Sequence, residues 1–277
     1  MAFLKLIRPL NVMLAAGAVF IGSFVAMGTD VAGADILIPV LLACLAAGLV
    51  TGAGNVLNDY SDRDTDRVNH PERPIPSGQV SPKSALSLSV VMFLLSLPLA
   101  FLINVECFLL AGLNVLVLVS YERSLKRKGF LGNVEVSWLT GSIFIFGGFA
   151  AYNGDFNAFG GTFFLALLAF FASLGREIAK DIQDIDGDVD RMTLPKRIGV
   201  KKASRSAAFF FLVAVLLSFE PPFFNLLNFY YLPIVIVADI IFIYSSTLLT
   251  RNPQKASSLA KMGMMMALLA FVIGGFT

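Results

Sequence analysis

Long apolar runs separated by short polar connections dominate the chain. Runs of spanning length fall near residues 12–28, 36–57, 85–104, 107–121, 131–151, 160–180, 206–219, 229–249 and 257–276. Most approach the roughly 20 residues a helix needs to cross about 30 Å of hydrocarbon. A backbone in lipid must satisfy its own hydrogen bonds, so the pattern predicts an all-α, multi-pass bundle of nine transmembrane helices. The seventh run is the weakest, because Glu220-Pro221-Pro222 ends it early and only tilt or a thin bilayer lets it cross.

Twice the polar residues intrude at the end of an apolar run. The first stretch, NVLNDYSDRDTDRVNHPERPIPSG, runs from Asn55 to Gly78, and the second, EIAKDIQDIDGDVDRMTLPKRIG, from Glu177 to Gly199. Asn58, Asp62 and Asp66 lie at i, i+4 and i+8, which places them on one face of a helix continuing from the second run. Asp59 joins its edge, and the Pro74 and Pro76 region ends the helix. The spacing DxxDxDxD of Asp59, Asp62, Asp64 and Asp66 recurs at Asp181, Asp184, Asp186 and Asp188, and Glu177, Asp181, Asp184 and Asp188 form a second stripe. The repeat divides the chain into four helices, four helices and one extra. One stripe alone reads as a solvated cap; two at equal spacing after membrane runs point to function.

Composition agrees with the pattern: 57% of residues are hydrophobic, 14% are charged and the mean hydropathy is +0.78. The 21 Lys and Arg group in the N-terminal segment, at Lys5 and Arg8, or around the connections after spans 2, 4, 6 and 8. Connections 28–35, 152–159 and 219–229 contain none. The positive-inside rule therefore puts the N-terminus in the cytoplasm, the C-terminus outside and both acidic motifs on the cytoplasmic side. The expected organisation is a single membrane domain over residues 1–277 with no cleavable leader and no nucleic-acid partner. Cys44 and Cys107 lie in apolar runs without metal-ligand spacing, and His70 is the single histidine, which argues against a zinc site or a Ser-His-Asp arrangement.

Two carboxylate clusters facing one another repel unless cations lie between them. Oxygen-only ligands favour Mg²⁺, which keeps room for water and substrate phosphates, and a diphosphate bridging two such ions is the natural filling. Arg63, Arg67, Arg73, Tyr121, Lys126, Arg127, Lys128, Lys180, Arg191, Lys196 and Arg197 surround the motifs and supply donors for phosphoryl oxygens. With an allylic organic part, such a diphosphate leaves readily, and apolar helices shield the carbocation from water.

NDxxDxxxD at Asn58–Asp66, KDxxDxxGD at Lys180–Asp188 and the nine-helix count resemble the UbiA superfamily of intramembrane prenyltransferases over nearly the whole chain. The resemblance implies Mg²⁺-dependent transfer of a prenyl group from its diphosphate to a lipophilic acceptor. It implies that Asn58, Asp62 and Asp66 serve one metal, and Asp181, Asp184 and Asp188 the other. It further implies that Arg63, Tyr121, Lys126, Lys196 and Arg197 hold the diphosphate, with Asp62, Asp184, Arg63 and Lys126 central to catalysis. LIRPLNVMLAAGAVFIG at Leu6–Gly22, with the first motif, most resembles the archaeal ether-lipid branch. That branch implies geranylgeranyl transfer to the free hydroxyl of geranylgeranylglyceryl phosphate. Lys201, Lys202, Arg205, Arg127 and Lys128 are candidates for the acceptor's phosphate, although the positive-inside rule alone explains them. Asn11, with Arg8, is a weaker acceptor candidate that either lines a cavity or pairs with a neighbouring helix. An aromatic or quinone-precursor acceptor of the 4-hydroxybenzoate type is the alternative within this chemistry, and a divalent-cation transporter the alternative outside it.

Overall fold

The computed structural model describes residues 1–123, 129–152, 156–185 and 192–276, with side chains omitted at 156–158. Lys126 and Asp188, together with Arg127, Lys128, Asp186, Asp190 and Arg191, lie outside the described residues. Among the described residues the secondary structure is helical throughout, and nine helices are long and apolar enough to cross a membrane.

A short helix α1 (Ala2–Ile7) leads into the first span, α2 (Pro9–Met27). Arg8 between them adopts a left-handed conformation at φ 54°, which ends α1 and lets Pro9 open α2. The next spans are α3 (Ala34–Ser61), α5 (Pro82–Ile103), α6 (Val105–Arg123), α7 (Phe130–Ala150) and α8 (Phe156–Gln183), with the short α4 (Arg63–Asn69) after α3. The short α9 (Leu194–Ile198) precedes α10 (Val200–Ser218) and α11 (Glu220–Phe223), and the chain closes with α12 (Tyr231–Leu248) and α13 (Pro253–Gly274). The two longest helices, α3 and α8, have 28 residues each, and each delivers an acidic motif to its last turn.

The seventh span is longer than the apolar run suggests. Val200 to Phe223 makes a stretch of 24 residues. Lys201, Lys202 and Arg205 are exposed in its first turns and hide its start from a hydropathy reading, since long basic side chains reach toward water at a helix end. Pro221 and Pro222 do not stop the path; they occupy the first turn of α11, where missing N–H groups cost little.

At the centre, α2 and α7 touch backbone to backbone. A Cβ on Gly147 would fall 2.0 Å from the Val19 carbonyl oxygen, and one on Gly22 would fall 2.4 Å from that of Phe144. Small residues allow this approach, as is common where membrane helices cannot rely on the hydrophobic effect to associate. The Ser23 hydroxyl donates to the Gly147 carbonyl at 2.8 Å, and the Thr162 hydroxyl of α8 donates to that of Gly22 at 3.0 Å. Around this axis one apolar cluster joins α2, α3, α5, α6 and α7, while a second joins α7, α8, α10, α12 and α13. Exposed Leu41, Leu94, Leu109, Leu216 and Ile240 form part of an apolar exterior suited to lipid chains. Gly147→Ala is expected to lower the detergent melting temperature, because overpacking costs about 1–3 kcal/mol. Gly17→Ala on α2, with nothing within 4 Å of its Cβ position, should leave it unchanged.

Candidate active site

The first motif does not remain on one helical face. α3 ends at Ser61, Asp62 takes φ −88° and ψ 1°, and α4 starts in a new direction. Asn58 and Asp62 stay together, with the Asn58 amide donating to Asp62 at 3.3 Å and to Glu122 of α6 at 2.9 Å. Asp66 turns away and is buried, accepting from the Arg73 guanidinium at 2.7 Å. Asp59 is also buried and pairs with Arg8, while Arg73 stands 3.8 Å from it. Two carboxylates removed from water require such counter-ions.

The proline loop holds Arg73 in place. Ile75 is buried with Leu6, Val56, Val80 and Ala85, so the segment that follows Arg73 is anchored in a small core of its own. Arg8 is committed to Asp59, which leaves the acceptor role sketched for it without structural support. Asn11 is exposed on α2 and approaches Asn55 at 3.5 Å. Arg63 lies back on its own segment, donating to the Tyr60 carbonyl at 2.9 Å with its guanidinium 4.7 Å from the centre of the Tyr60 ring.

The second motif grows from the last turns of α8. Asp181 accepts from Asn133 of α7 at 2.8 Å, which fixes one carboxylate oxygen against the neighbouring helix. Asp184 is exposed in the turn that follows α8. Glu177 pairs with Arg176 at 3.2 Å and with Lys180 at 2.8 Å. On α9, Lys196 is half-buried and Arg197 exposed. Gly129, at φ 64°, lies against the Met192 carbonyl, where a Cβ would come within 2.2 Å; the connection after α6 therefore meets the connection after α8.

Two cavities flank α7. The first, about 290 Å³, lies between α3, α6 and α7. Asn55, Asn58, Tyr121 and Glu122 line its polar end, and Ala47, Val50, Leu118, Leu139, Ile143 and Phe146 its apolar length. The second, about 430 Å³, lies between α7, α8, α10, α12 and α13. Val136 of α7 lines both, so one helix separates two largely apolar spaces.

No three His, Cys, Asp or Glu side chains converge on a metal position among the described residues. Mg²⁺ does not need such a cage, since it commonly takes one or two carboxylates, waters and the oxygens of a substrate phosphate. The oxygen donors of Asn58, Asp62, Asp181 and Asp184 fit an ion held jointly with a diphosphate. Asp66 fits less simply, because Arg73 already occupies it.

The UbiA prenyltransferase family profile matches residues 15–269. The chain belongs to this family. Among its relatives, the digeranylgeranylglyceryl phosphate synthase of Methanosarcina mazei is 41% identical over 98% of this chain and 97% of its own length. The synthase of the same description from Methanothrix thermoacetophila is 40% identical over 99% of both chains. A solved structure described as digeranylgeranylglyceryl phosphate synthase in membranes superposes with a TM-score of 0.88 at 33% identity, covering 99% of this chain and 98% of that one. A UbiA homologue from Archaeoglobus fulgidus, solved with GPP and Mg²⁺, shares the fold at a TM-score of 0.62 and 17% identity, over 99% of both chains. The protein is thus a multi-pass membrane prenyltransferase of the UbiA family.

Sequence spacing found the family's acidic motifs and missed what surrounds them. Arg73 as a counter-ion, Asn133 on Asp181 and Glu122 on Asn58 depend on contacts between distant segments, for which the chain carries no periodic signal. Arg176 and Lys261 did leave a signal, because each is a charge inside an apolar run.

Proposed function

We propose that this UbiA prenyltransferase transfers a geranylgeranyl group from its diphosphate to the free hydroxyl of geranylgeranylglyceryl phosphate, forming the second ether of an archaeal membrane lipid. The observation that carries the reading is the likeness, over 98–99% of the chain, to proteins described as digeranylgeranylglyceryl phosphate synthases. Two separate apolar cavities suit a reaction that joins two long chains.

In this reading the diphosphate lies at the cytoplasmic end of the first cavity, between the motifs, with its prenyl chain along Val50, Leu118 and Phe146. Asn58, Asp62 and Asp66 would hold one Mg²⁺, and Asp181, Asp184 and Asp188 a second. Bound Mg²⁺ would supply charge neutralisation for the leaving diphosphate. Arg63, Tyr121, Lys126, Lys196 and Arg197 donate to its oxygens, with Arg63 swinging off the Tyr60 ring to do so. The allylic C–O bond breaks with its electron pair going to diphosphate, and the apolar wall of α3, α6 and α7 keeps water from the cation. The acceptor's hydroxyl oxygen then bonds to that carbon. Its proton passes to a carboxylate of the site or to the released diphosphate.

A product assay tests this. Purified protein with labelled geranylgeranyl diphosphate and Mg²⁺ should make labelled diether lipid from geranylgeranylglyceryl phosphate, and EDTA should abolish it. Product from 4-hydroxybenzoate instead would refute the ether-lipid acceptor while keeping prenyl transfer.

A further inference from the structure

The second cavity carries basic side chains, whereas Glu122 is the charged side chain lining the first. Of the ionisable side chains lining it, Arg176 and Glu177 come from α8, Lys261 from α13 and Asp239 from α12. Arg176 stands seven residues before the end of α8 and Lys261 eight after the start of α13, about 10–12 Å along each helix from the cytoplasmic ends. Charges at that depth are costly without a partner. The Arg176 Nε is buried with no hydrogen-bond partner, and Lys261, which is exposed, makes no ion pair among the described residues. Glu177 is shared between Arg176 and Lys180, and Asp239 is held by the Ser218 hydroxyl at 2.8 Å. Among the lining side chains, Arg176 and Lys261 against Glu177 leave one positive charge in excess; Lys180, which pairs with Glu177 from outside the lining, adds a second, and an ionised Asp239 would remove one. A phosphate monoester carries about −1.5 to −2 near pH 7 and answers that excess.

From these contacts we infer that Arg176 and Lys261 bind the phosphate of the acceptor, and that the second cavity holds the acceptor's own chain along Leu165, Leu168, Phe242 and Leu268. The inference rests on the acceptor proposed above and adds where its phosphate is recognised. The basic residues Lys201, Lys202 and Arg205 are exposed at the start of α10 and line no part of this cavity. Val136, which borders both cavities, marks where the acceptor's glycerol hydroxyl meets the donor's reactive carbon. A planar guanidinium with a buried, unsatisfied N–H suits a phosphate oxygen better than it suits lipid chains.

The test compares geranylgeranylglyceryl phosphate with its dephosphorylated alcohol as acceptors, using the full-length protein in nanodiscs. Wild type should prefer the phosphorylated acceptor. Lys261→Met should raise the KM for that acceptor by about tenfold or more, narrow its preference over the alcohol and leave the donor KM unchanged, since one charge-assisted contact is lost. Lys261→Arg should restore the preference, and Arg176→Gln should reproduce the Met variant's kinetics. An unchanged acceptor KM in both variants would overturn the inference, as would a rise confined to the donor KM, which would assign the pair to diphosphate. Loss of folded protein with unaltered acceptor kinetics in what remains would make Lys261 a counter-ion of Asp239, and would also overturn it. Wild type that ignores geranylgeranylglyceryl phosphate altogether would refute the acceptor itself, a result distinct from a failure of the variants alone.

Discussion

Asp184→Ala is expected to reduce turnover by at least about 10²–10³-fold, the scale seen when a group that stabilises developing charge is removed, while the protein stays folded. The reason lies in its position. Asp184 is exposed in the turn after α8, so its loss removes no packing, and exposed substitutions usually change stability by less than about 0.5 kcal/mol. Asp62→Ala should behave alike, since Asp62 caps the end of α3 beside Asn58 rather than filling a core. The control is Asp64→Ala. Asp64 is 68% exposed and pairs only with Arg63 and Arg67 among the contacts described, so near-normal turnover is expected. Pyrophosphate release measured across a Mg²⁺ titration, beside a detergent melt of each variant, decides the matter. Retained activity in Asp184→Ala would remove it from the metal set, and unfolding would make it structural.

The membrane fold was legible because lipid imposes a strong rule: every span must be long, apolar and internally hydrogen-bonded. Eight of the nine spans follow from that rule directly. The exception, the seventh span α10, starts earlier than its hydropathy suggests because Lys201, Lys202 and Arg205 sit on a helix that already belongs to the bundle. The acidic motifs were equally legible, as their repetition after two 28-residue helices attests. The division of labour within the first motif was not. Helical spacing puts Asn58, Asp62 and Asp66 in one row, yet the turn at Asp62 sends Asp66 to Arg73, and only the folded proline loop brings that arginine there. The same limit applies to the cavities. Lys261 and Arg176 are 85 positions apart in sequence and meet a common space only through the packing of α13 on α8.

Arg73→Met should be the most damaging single change to stability near the site. Its guanidinium stands 2.7 Å from Asp66 and 3.8 Å from Asp59, whose side chains are only 7% and 6% exposed. Removing one partner of a fully buried pair costs about 3–5 kcal/mol, because the remaining charge stays out of water. Arg73 is itself 31% exposed, so solvent screening lowers the expected loss to roughly 2–3 kcal/mol. Asp59 keeps Arg8, which concentrates the damage on Asp66. A double-mutant cycle then separates the two demands on that carboxylate. Asp66→Asn in the Arg73→Met background should recover much of the lost melting temperature, since the unpaired charge is gone. It should not recover turnover if Asp66 also faces Mg²⁺, because an amide oxygen is a weaker ligand for a hard cation. Recovery of both would reduce Asp66 to a fold-maintaining ion pair and leave Asn58 and Asp62 as the first motif's metal donors. Recovery of neither would show that Arg73 acts beyond Asp66, through the loop that Ile75 anchors.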